Sequence, residues 1–175
     1  MLPTIRQMKP AELERIAEID RSERITQQYV AVDGKLTLID VDIDASPWGG
    51  RREAPVQRYI DQWRPLLGRG IMLGDFQGDH LAGFAIYTPP GARDFAQFSV
   101  LHVSRPYRRT GIGRLLADEV VALARGDGAT RLYVSATPTR GTVDFYMSCG
   151  FEPLATPDPD LFALEPEDIH MDMRL

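Results

Sequence analysis

A strongly basic turn between residues 105 and 114 carries the clearest chemical signal in the sequence. Its glycines, Gly111 and Gly113, stand two residues apart at the start of an apolar helical pattern. Glycines let backbone N–H groups close around an anion, and a helix N-terminus adds unpaired donors and partial positive charge. Four arginines add formal charge within ten residues of an otherwise acidic chain: Arg105, Arg108, Arg109 and Arg114. The pattern therefore indicates a diphosphate-binding site.

Two common diphosphate motifs do not match this turn. A Rossmann turn needs a third glycine three residues after the second, and an acidic residue about 20 residues further on. Leu116 stands at the first of these positions, and the next strand ends in Ser135. A P-loop needs Gly-Lys followed by Ser or Thr, but Lys35 is the last lysine of the chain. The ligand therefore belongs to another class of diphosphate.

The elements that must hold this turn are short strands and helices. Asp33-Gly34 between two β-prone runs predicts a hairpin, and the slipped alternation after Leu38 predicts a bulge. Strands meander first and alternate with helices later, which predicts an α/β (mixed α+β) fold with a mixed, mostly antiparallel central sheet flanked by helices. The predicted strands cover 4–8, 29–32, 35–38, 71–77, 80–88, 95–103, 131–135 and 169–174, and the predicted helices begin near residue 10 and cover 54–64, 111–126 and 139–147.

Apolar spacing also predicts which helix residues face the core. The helix near residue 10 turns three residues inward: Leu13, Ile16 and Ala17. The helix after the basic turn does the same with a longer set: Ile112, Leu115, Leu116, Val120 and Leu123. Residues 158–160 and 165–168 are acidic and contain proline, which predicts turns before the last strand.

Composition limits the class of protein to which the chain can belong. The 175 residues are 43% apolar and 26% charged, which fits one soluble domain and excludes wholesale disorder. A net charge of −5 argues against nucleic-acid binding, and no apolar run approaches the ~18 residues of a membrane span. One cysteine, Cys149, excludes an internal disulfide. With no signal-like start, we expect a cytoplasmic protein that binds neither nucleic acid nor membranes.

Two segments together resemble a known family. Residues 108–113 read Arg-x-x-Gly-x-Gly after the strand segment 101–103, and residues 145–151 read Phe-Tyr-x-x-x-Gly-Phe. Both are similar to motifs of the GCN5-related N-acetyltransferase (GNAT) family, and the helix and strand between them agree. The resemblance implies a single domain over 1–175 whose sheet is splayed at the acetyl-CoA site. It also implies an acceptor-specific insert at about 22–52 and a coenzyme-binding core at about 70–152.

The resemblance assigns roles to individual residues. The backbone of Leu101, His102 and Val103 would pair with the pantetheine arm of acetyl-CoA, the co-substrate, and no metal is implied. Tyr146 would protonate the departing thiolate, since a phenol with a pKa of ~10 stays protonated at neutral pH beside a thiol of ~8.5. The pyrophosphate would lie in the motif loop: Arg108, Arg109, Thr110, Gly111, Ile112, Gly113 and Arg114.

The proton acceptor for the amine is not given by the family motif. Some members of the family carry a glutamate fourteen residues before Gly111, where this chain has Gln97, a neutral amide. Asp94 and His102 are the alternatives closest in sequence. Cys149 has no neighbouring histidine, so direct transfer to the amine is expected, with a backbone N–H near the end of the 95–103 strand stabilising the oxyanion. Thr139 replaces a frequent asparagine and can still cap its helix.

The sequence does not identify the acceptor of the acetyl group. Asp40, Asp42 and Asp44 alternate along a predicted strand, either as an acidic rim for a cationic amine or as a solvated face. Tyr29, Trp48 and Tyr59 are candidates for an aromatic wall. We expect an N-acetyltransferase acting on a small-molecule primary amine, with a protein amine as the other acceptor class. The alternative is a non-catalytic acyl-CoA-binding sensor or interaction module. Homodimers are common in the family, and no feature here decides the oligomeric state.

Overall fold

The central element is a mixed sheet flanked by helices. The computed structural model describes residues 4–46, 48 and 55–175, and within them seven strands form one sheet in the order β1-β4-β5-β6-β7-β9-β8. Only the β6–β7 pair is parallel, which confirms the predicted mostly antiparallel sheet. The strands of this sheet are β1 (Thr4–Met8), β4 (Ile71–Gln77), β5 (His80–Thr88), β6 (Ala96–Val103), β7 (Arg131–Ala136), β8 (Glu152–Pro153) and β9 (Ile169–Arg174).

The helices lie on both faces of the sheet. The α-helices are α1 (Pro55–Trp63), α2 (Ile112–Gly126), α3 (Arg140–Ser148) and α4 (Pro159–Leu164), and 3-10 helices cover Pro10–Glu18, Arg64–Gly68 and Arg105–Tyr107. One apolar cluster joins α2 and α3 to the sheet, and a second joins the first 3-10 helix and α1 to its other face. Gly83 lets α2 approach closely, since a Cβ there would lie 3.0 Å from Cγ2 of Ile112. Within the described ranges, no helix is long and apolar enough to cross a membrane.

A separate hairpin is made of β2 (Glu23–Val32) and β3 (Lys35–Ala45). Its turn is the predicted Asp33-Gly34, and both residues have positive φ, 49° and 73°, as a type I′ turn requires. The pairing Gln27↔Asp40 is followed by Ile25↔Ile43, so β3 carries one extra residue slightly beyond the predicted bulge position. This hairpin occupies most of the predicted acceptor insert, whose residues 47 and 49–52 lie outside the described part of the chain.

Two helix predictions were wrong in detail. The first helix is a 3-10 helix that buries Leu13, Ile16 and then Ile19 at a spacing of three, so Ala17 is exposed. In α2 the inward residues include Leu116 and Val120, but Leu115 is 40% exposed.

The acidic segment 158–160 is also a helix start rather than a turn. Oδ1 of Asp158 accepts the backbone N–H groups of Asp160 and Leu161 at 3.1 and 3.0 Å and thereby caps α4. Leu161 is buried beside Phe95 and Tyr133, so this short helix covers the sheet next to β7.

Candidate functional site

A cleft opens in the sheet between β6 and β7. The two strands pair only at Ala96↔Leu132 and Gln97↔Tyr133, while β6 continues to Val103 and β7 to Ala136. The register of β6 against β5 shifts from Tyr87↔Phe98 to Ile86↔Val100, which makes Ser99 an extra residue. A bulge bends the strand that contains it. The bulge at Ser99 therefore explains why β6 diverges from β7 beyond Gln97. The predicted splay of the sheet is confirmed.

The strand segment predicted to bind pantetheine forms one wall of this cleft. Leu101, His102 and Val103 pair with Ala85, Phe84 and Gly83 of β5 through one edge. Their other edge faces the cleft, and among the described residues no strand pairs with it. An unpaired strand edge offers N–H and C=O groups to an extended ligand. The assignment of these three residues to the coenzyme stays a prediction, to which this placement gives a physical basis.

The basic turn leads from β6 into α2. Arg109 and Gly111 both have positive φ, 63° and 95°, and this backbone turns the chain so that α2 starts at Ile112 beside the cleft. The hydroxyl of Thr110 donates to the carbonyl of Tyr107 at 2.6 Å and braces the turn. The first N–H groups of α2 have no carbonyl within the helix to bond, so this helix start at the mouth of the cleft is suited to an anion. The assignment of the turn to a pyrophosphate stays a prediction.

Gly113 leaves the first turn of α2 without a side chain at the mouth of the cleft. A Cβ at Gly113 would lie 3.5 Å from the ring of Phe145 and 3.6 Å from Cγ2 of Val103, which are ordinary contact distances. Its backbone is also an ordinary helical one. The fold therefore does not require glycine here, and the bare position leaves room for a bound molecule to approach the backbone. Gly111, with its positive φ, is required by the turn itself.

The arginines of the turn have different surroundings. Arg108 Nε donates to the carbonyl of Val103 at 3.1 Å, and its Nη1 reaches the carbonyl of Ser22 at 3.3 Å. Arg114 Nε bonds Asp118 at 3.0 Å, and its Nη1 bonds the carbonyl of Ser148 at 3.1 Å. Arg108 and Arg114 thus brace the loop. Arg109 instead lines a separate open pocket of 480 Å³ with residues of β2 and α3.

Tyr146 is buried on α3, on the face of the sheet that α2 and α3 cover, next to the point where β6 and β7 diverge. Its ring packs edge-on against Phe98, the first residue of β6 beyond the pairing with β7, with ring centroids 5.6 Å apart. Burial is the main cause that raises the pKa of its hydroxyl far above the ordinary value, with the charges of Cys149 and Asp168 adding to it. The phenol therefore stays protonated at neutral pH and is able to donate a hydrogen bond.

The helix that carries Tyr146, α3, starts beside the 480 Å³ pocket that Arg109 lines. Thr139 Oγ1 accepts the backbone N–H of Thr142 at 3.3 Å, so Thr139 caps α3 as predicted. Cys149 ends the same helix, and burial is the main cause that raises the pKa of its thiol. A thiol with a raised pKa is a poor nucleophile, in agreement with direct transfer.

The structure places the two suggested proton acceptors differently. Asp94 is 76% exposed and pairs with Nη1 of Arg131 at 3.1 Å, on the outside of the sheet. The imidazole of His102 lies among the rings of Trp48, Trp63 and Phe84. Burial, with the charges of Arg21 and Arg108, lowers its pKa well below the ordinary value. His102 is therefore neutral at neutral pH and a weak proton acceptor.

Asp168 is a further acidic group at the cleft, and sequence reasoning treated it as part of a turn. Ile169, the next residue, pairs with Ala136 at the end of β7, so Asp168 stands where β7 ends. Burial, with the charges of Glu165 and Glu167, raises the pKa of its carboxyl from 3.8 to about 7. Its charge also acts on Tyr146. The available signal was its position just before a strand that must pair with β7.

His170 holds the segment that presents Asp168. Its Nε2 lies 2.9 Å from the carbonyl of Glu165, and its Nδ1 lies 2.8 Å from the hydroxyl of Tyr133. Successive strand residues alternate between faces, so Asp168 lies on the face of His170, opposite the one on which Ile169 packs with α2 and α3.

In the described ranges no group of three or more His, Cys, Asp or Glu is arranged to hold a metal ion.

The hairpin aspartates fit the second of the two alternatives, a solvated strand face. Arg24 forms ion pairs with Asp42 and with Asp44, the latter at 2.6 Å, and Asp40 accepts a hydrogen bond from Gln27 at 3.1 Å. These carboxylates are thus engaged within the hairpin, as a solvated strand face would be.

The expected aromatic wall forms only in part. Trp48 and Tyr59 are in contact, with ring centroids 5.3 Å apart. Tyr29 instead donates to Asp144 Oδ1 on α3 at 2.8 Å. The hydroxyl therefore ties β2 to α3. Of the three candidates only Trp48 and Tyr59 pack together, and both also contact Trp63 in the core.

Comparisons with known proteins agree with this geometry. The model of the acetyltransferase (GNAT) family matches residues 40–151, and a search of curated proteins finds no match. The structure superposes on a nourseothricin acetyltransferase with a TM-score of 0.74, at 19% identity over 99% of both chains. It superposes on the PaiA N-acetyltransferase of Thermoplasma acidophilum in complex with coenzyme A with a TM-score of 0.64, at 18% identity over 100% of both chains. A GNAT acetyltransferase of Elizabethkingia anophelis with acetyl-CoA bound gives a TM-score of 0.54, at 18% identity over 68% of this chain and 83% of that one.

Proposed function

Because this chain belongs to the acetyltransferase (GNAT) family, we propose that it moves the acetyl group of acetyl-CoA directly to a primary amine of a small molecule. The observation that carries the proposal is the splayed β6–β7 pair, with an anion-binding helix start at its mouth and Tyr146 beneath it. The free edge of β6 suits an extended pantetheine arm, and the bare backbone at Gly113 suits a pyrophosphate. The residues present thus fit the co-substrate.

Two side chains would move protons in this reaction. The amine nitrogen bonds to the acetyl carbon while the bond from that carbon to sulfur breaks. Tyr146 gives its proton to the departing thiolate, and Asp168 takes the proton that the amine loses. Asp168 is placed for this at the end of β7, on the face of the sheet opposite α2 and α3. A carboxyl whose pKa lies about 7 is well matched to a neutral-pH base.

A small acceptor is favoured over a protein amine by one of the similar solved structures, which is named an acetyltransferase of nourseothricin. The 480 Å³ pocket that Arg109 lines with β2 and α3 lies beside the basic turn, on the side of α3, and is therefore assigned to the coenzyme and not to the acceptor.

The first test is binding of acetyl-CoA and CoA measured by calorimetry. We expect the Arg109→Ala, Arg114→Ala double variant to bind both coenzymes more weakly than the unchanged protein. A control with Arg125→Ala and Arg174→Ala loses the same charge at exposed positions outside the turn and should bind normally. Absence of binding by the unchanged protein would contradict the proposal.

Tyr146→Phe then tests catalysis separately from binding. The change removes one hydroxyl from a buried ring that the remaining contacts hold in place. Coenzyme affinity should stay constant while the rate of thiol release with an amine falls by roughly 10²- to 10⁴-fold. Binding without thiol release in either form, across a broad panel of amines, would identify the protein as a sensor.

A further inference from the structure

We propose that Arg21 binds a carboxylate carried by the acceptor, so that the acceptor class is an amino acid or another amino carboxylate. This proposal rests on the proposed function, whose acceptor it specifies. Arg21 follows the first 3-10 helix, and its guanidinium carbon lies 4.8 Å from the ring centroid of Trp48 and 4.8 Å from that of Tyr59. Two aromatic rings thus hold the guanidinium in one place.

Among the described residues, the guanidinium of Arg21 is not fully paired. Its Nη1 is buried and donates to no acceptor among the described residues. Oδ1 of neighbouring Asp20 accepts the backbone N–H of Ser22 at 2.9 Å, and Glu23 lies 3.7 Å from Nη1 of Arg108. A buried charged donor without a partner is unfavourable, and a native structure that keeps one needs a reason for it. A bound anionic group would supply the missing acceptor.

Arg21 lies on the side of the sheet from which an acceptor must come. Val100 and the ring of His102 belong to the side on which the first 3-10 helix and α1 pack, and α2 and α3 cover the opposite side. A coenzyme whose pyrophosphate binds at α2 leaves that first side of the cleft to the amine. Trp48 contacts both Arg21 and His102, with its ring centroid 6.1 Å from the imidazole.

The surroundings favour a carboxylate over a second cation. Trp48 is itself fixed, because its Nε1 donates to the carbonyl of Ile19 at 3.0 Å. His102 adds no negative charge, and the hairpin aspartates are engaged with Arg24 and Gln27. The planar guanidinium also matches the two oxygens of a carboxylate in geometry. The amine of such a ligand would then extend from Arg21 past His102 toward the cleft.

The test compares common amino acids with their carboxamides, which keep the amine and lose the negative charge. Calorimetry measures their binding to the unchanged protein and to Arg21→Gln, with and without CoA. We expect at least one amino acid to bind more tightly than its carboxamide, and Arg21→Gln to weaken that amino acid by roughly 10- to 100-fold while leaving the carboxamide unchanged. Arg21→Lys, which keeps the charge but not the planar fork, should recover only part of the affinity.

Three controls separate this proposal from others. Arg64→Gln removes an exposed arginine that pairs with Glu14 and should change nothing. CoA affinity should be equal in the unchanged protein and Arg21→Gln, so a failure of CoA binding speaks against the proposed function and not against Arg21. In turnover, Arg21→Gln should raise KM for the amino acid and leave kcat within a few-fold. Equal binding of amino acids and carboxamides, or no binding of either, would overturn the proposal.

Discussion

Asp168→Asn separates the cost of holding a carboxylate at the cleft from its use in catalysis. Asparagine keeps the shape of the side chain but is neutral at every pH. Burial and two neighbouring carboxylates raise the pKa of Asp168 from 3.8 to about 7, so the folded chain holds this proton more strongly than the unfolded chain. The stability that depends on the protonated form is therefore complete below pH 3.8 and is lost as the pH rises to about 7.

The size of the effect follows from the difference between the two pKa values. That difference is about 3, and each pKa unit corresponds to about 1.4 kcal/mol, which gives about 4 kcal/mol. At pH 8, Asp168→Asn should therefore raise the free energy of unfolding by up to about 4 kcal/mol, and at pH 4 it should have little effect. Urea unfolding of both forms at several pH values measures this difference.

The same variant tests the proposed base. Removing the proton acceptor should lower kcat/KM by roughly 10²- to 10⁴-fold and abolish the rise of activity with pH near 7. Glu119→Gln, an exposed change on α2, is the matched control and should alter neither property. If the difference in the free energy of unfolding between the two forms stayed constant from pH 4 to pH 8, the argument from burial would be refuted. A large stability gain without loss of activity would refute only the catalytic role.

Three further substitutions test the turn and the start of α3. Gly111→Ala should lower the free energy of unfolding by about 1–2 kcal/mol, because φ is 95° there, as urea unfolding would show. Gly113→Ala should leave that free energy unchanged or slightly raised and weaken coenzyme binding in calorimetry; equal coenzyme affinity would contradict the idea that a ligand approaches this backbone. Thr139→Ala removes the cap of α3 and should cost about 1 kcal/mol, whereas Thr139→Ser should keep most of the stability; similar losses in both would show that the cap contributes nothing.

Much of the fold could be predicted because local signals and tertiary structure agree. Asp33-Gly34 permits two consecutive positive φ values, and the bounds of β4 and β5 follow from apolar runs on either side of Gly78-Asp79. The basic turn was visible because glycine, arginine and the helix start are contiguous in sequence. Residues that act through adjacent backbone are therefore the ones that pattern reasoning finds.

The rest depended on contacts between distant segments. The spacing of Leu13, Ile16 and Ile19 suits a 3-10 helix, but only packing against the sheet decides between that and an α-helix. Asp168 becomes a cleft residue because β9 returns beside β7. Arg21 meets Trp48 and Tyr59 across 27 and 38 residues of chain. No local spacing contains that information.

The β2–β3 hairpin and the helix that carries Tyr146 are bound to each other. The backbone N–H of Tyr29 donates to the carbonyl of Pro138 at 2.8 Å, and Arg140 Nη1 donates to Gln27 at 2.7 Å. Substitutions in this hairpin would thus alter contacts that also position α3. A hairpin exchanged alone would lack its counterparts on α3, so the two segments have to be exchanged together.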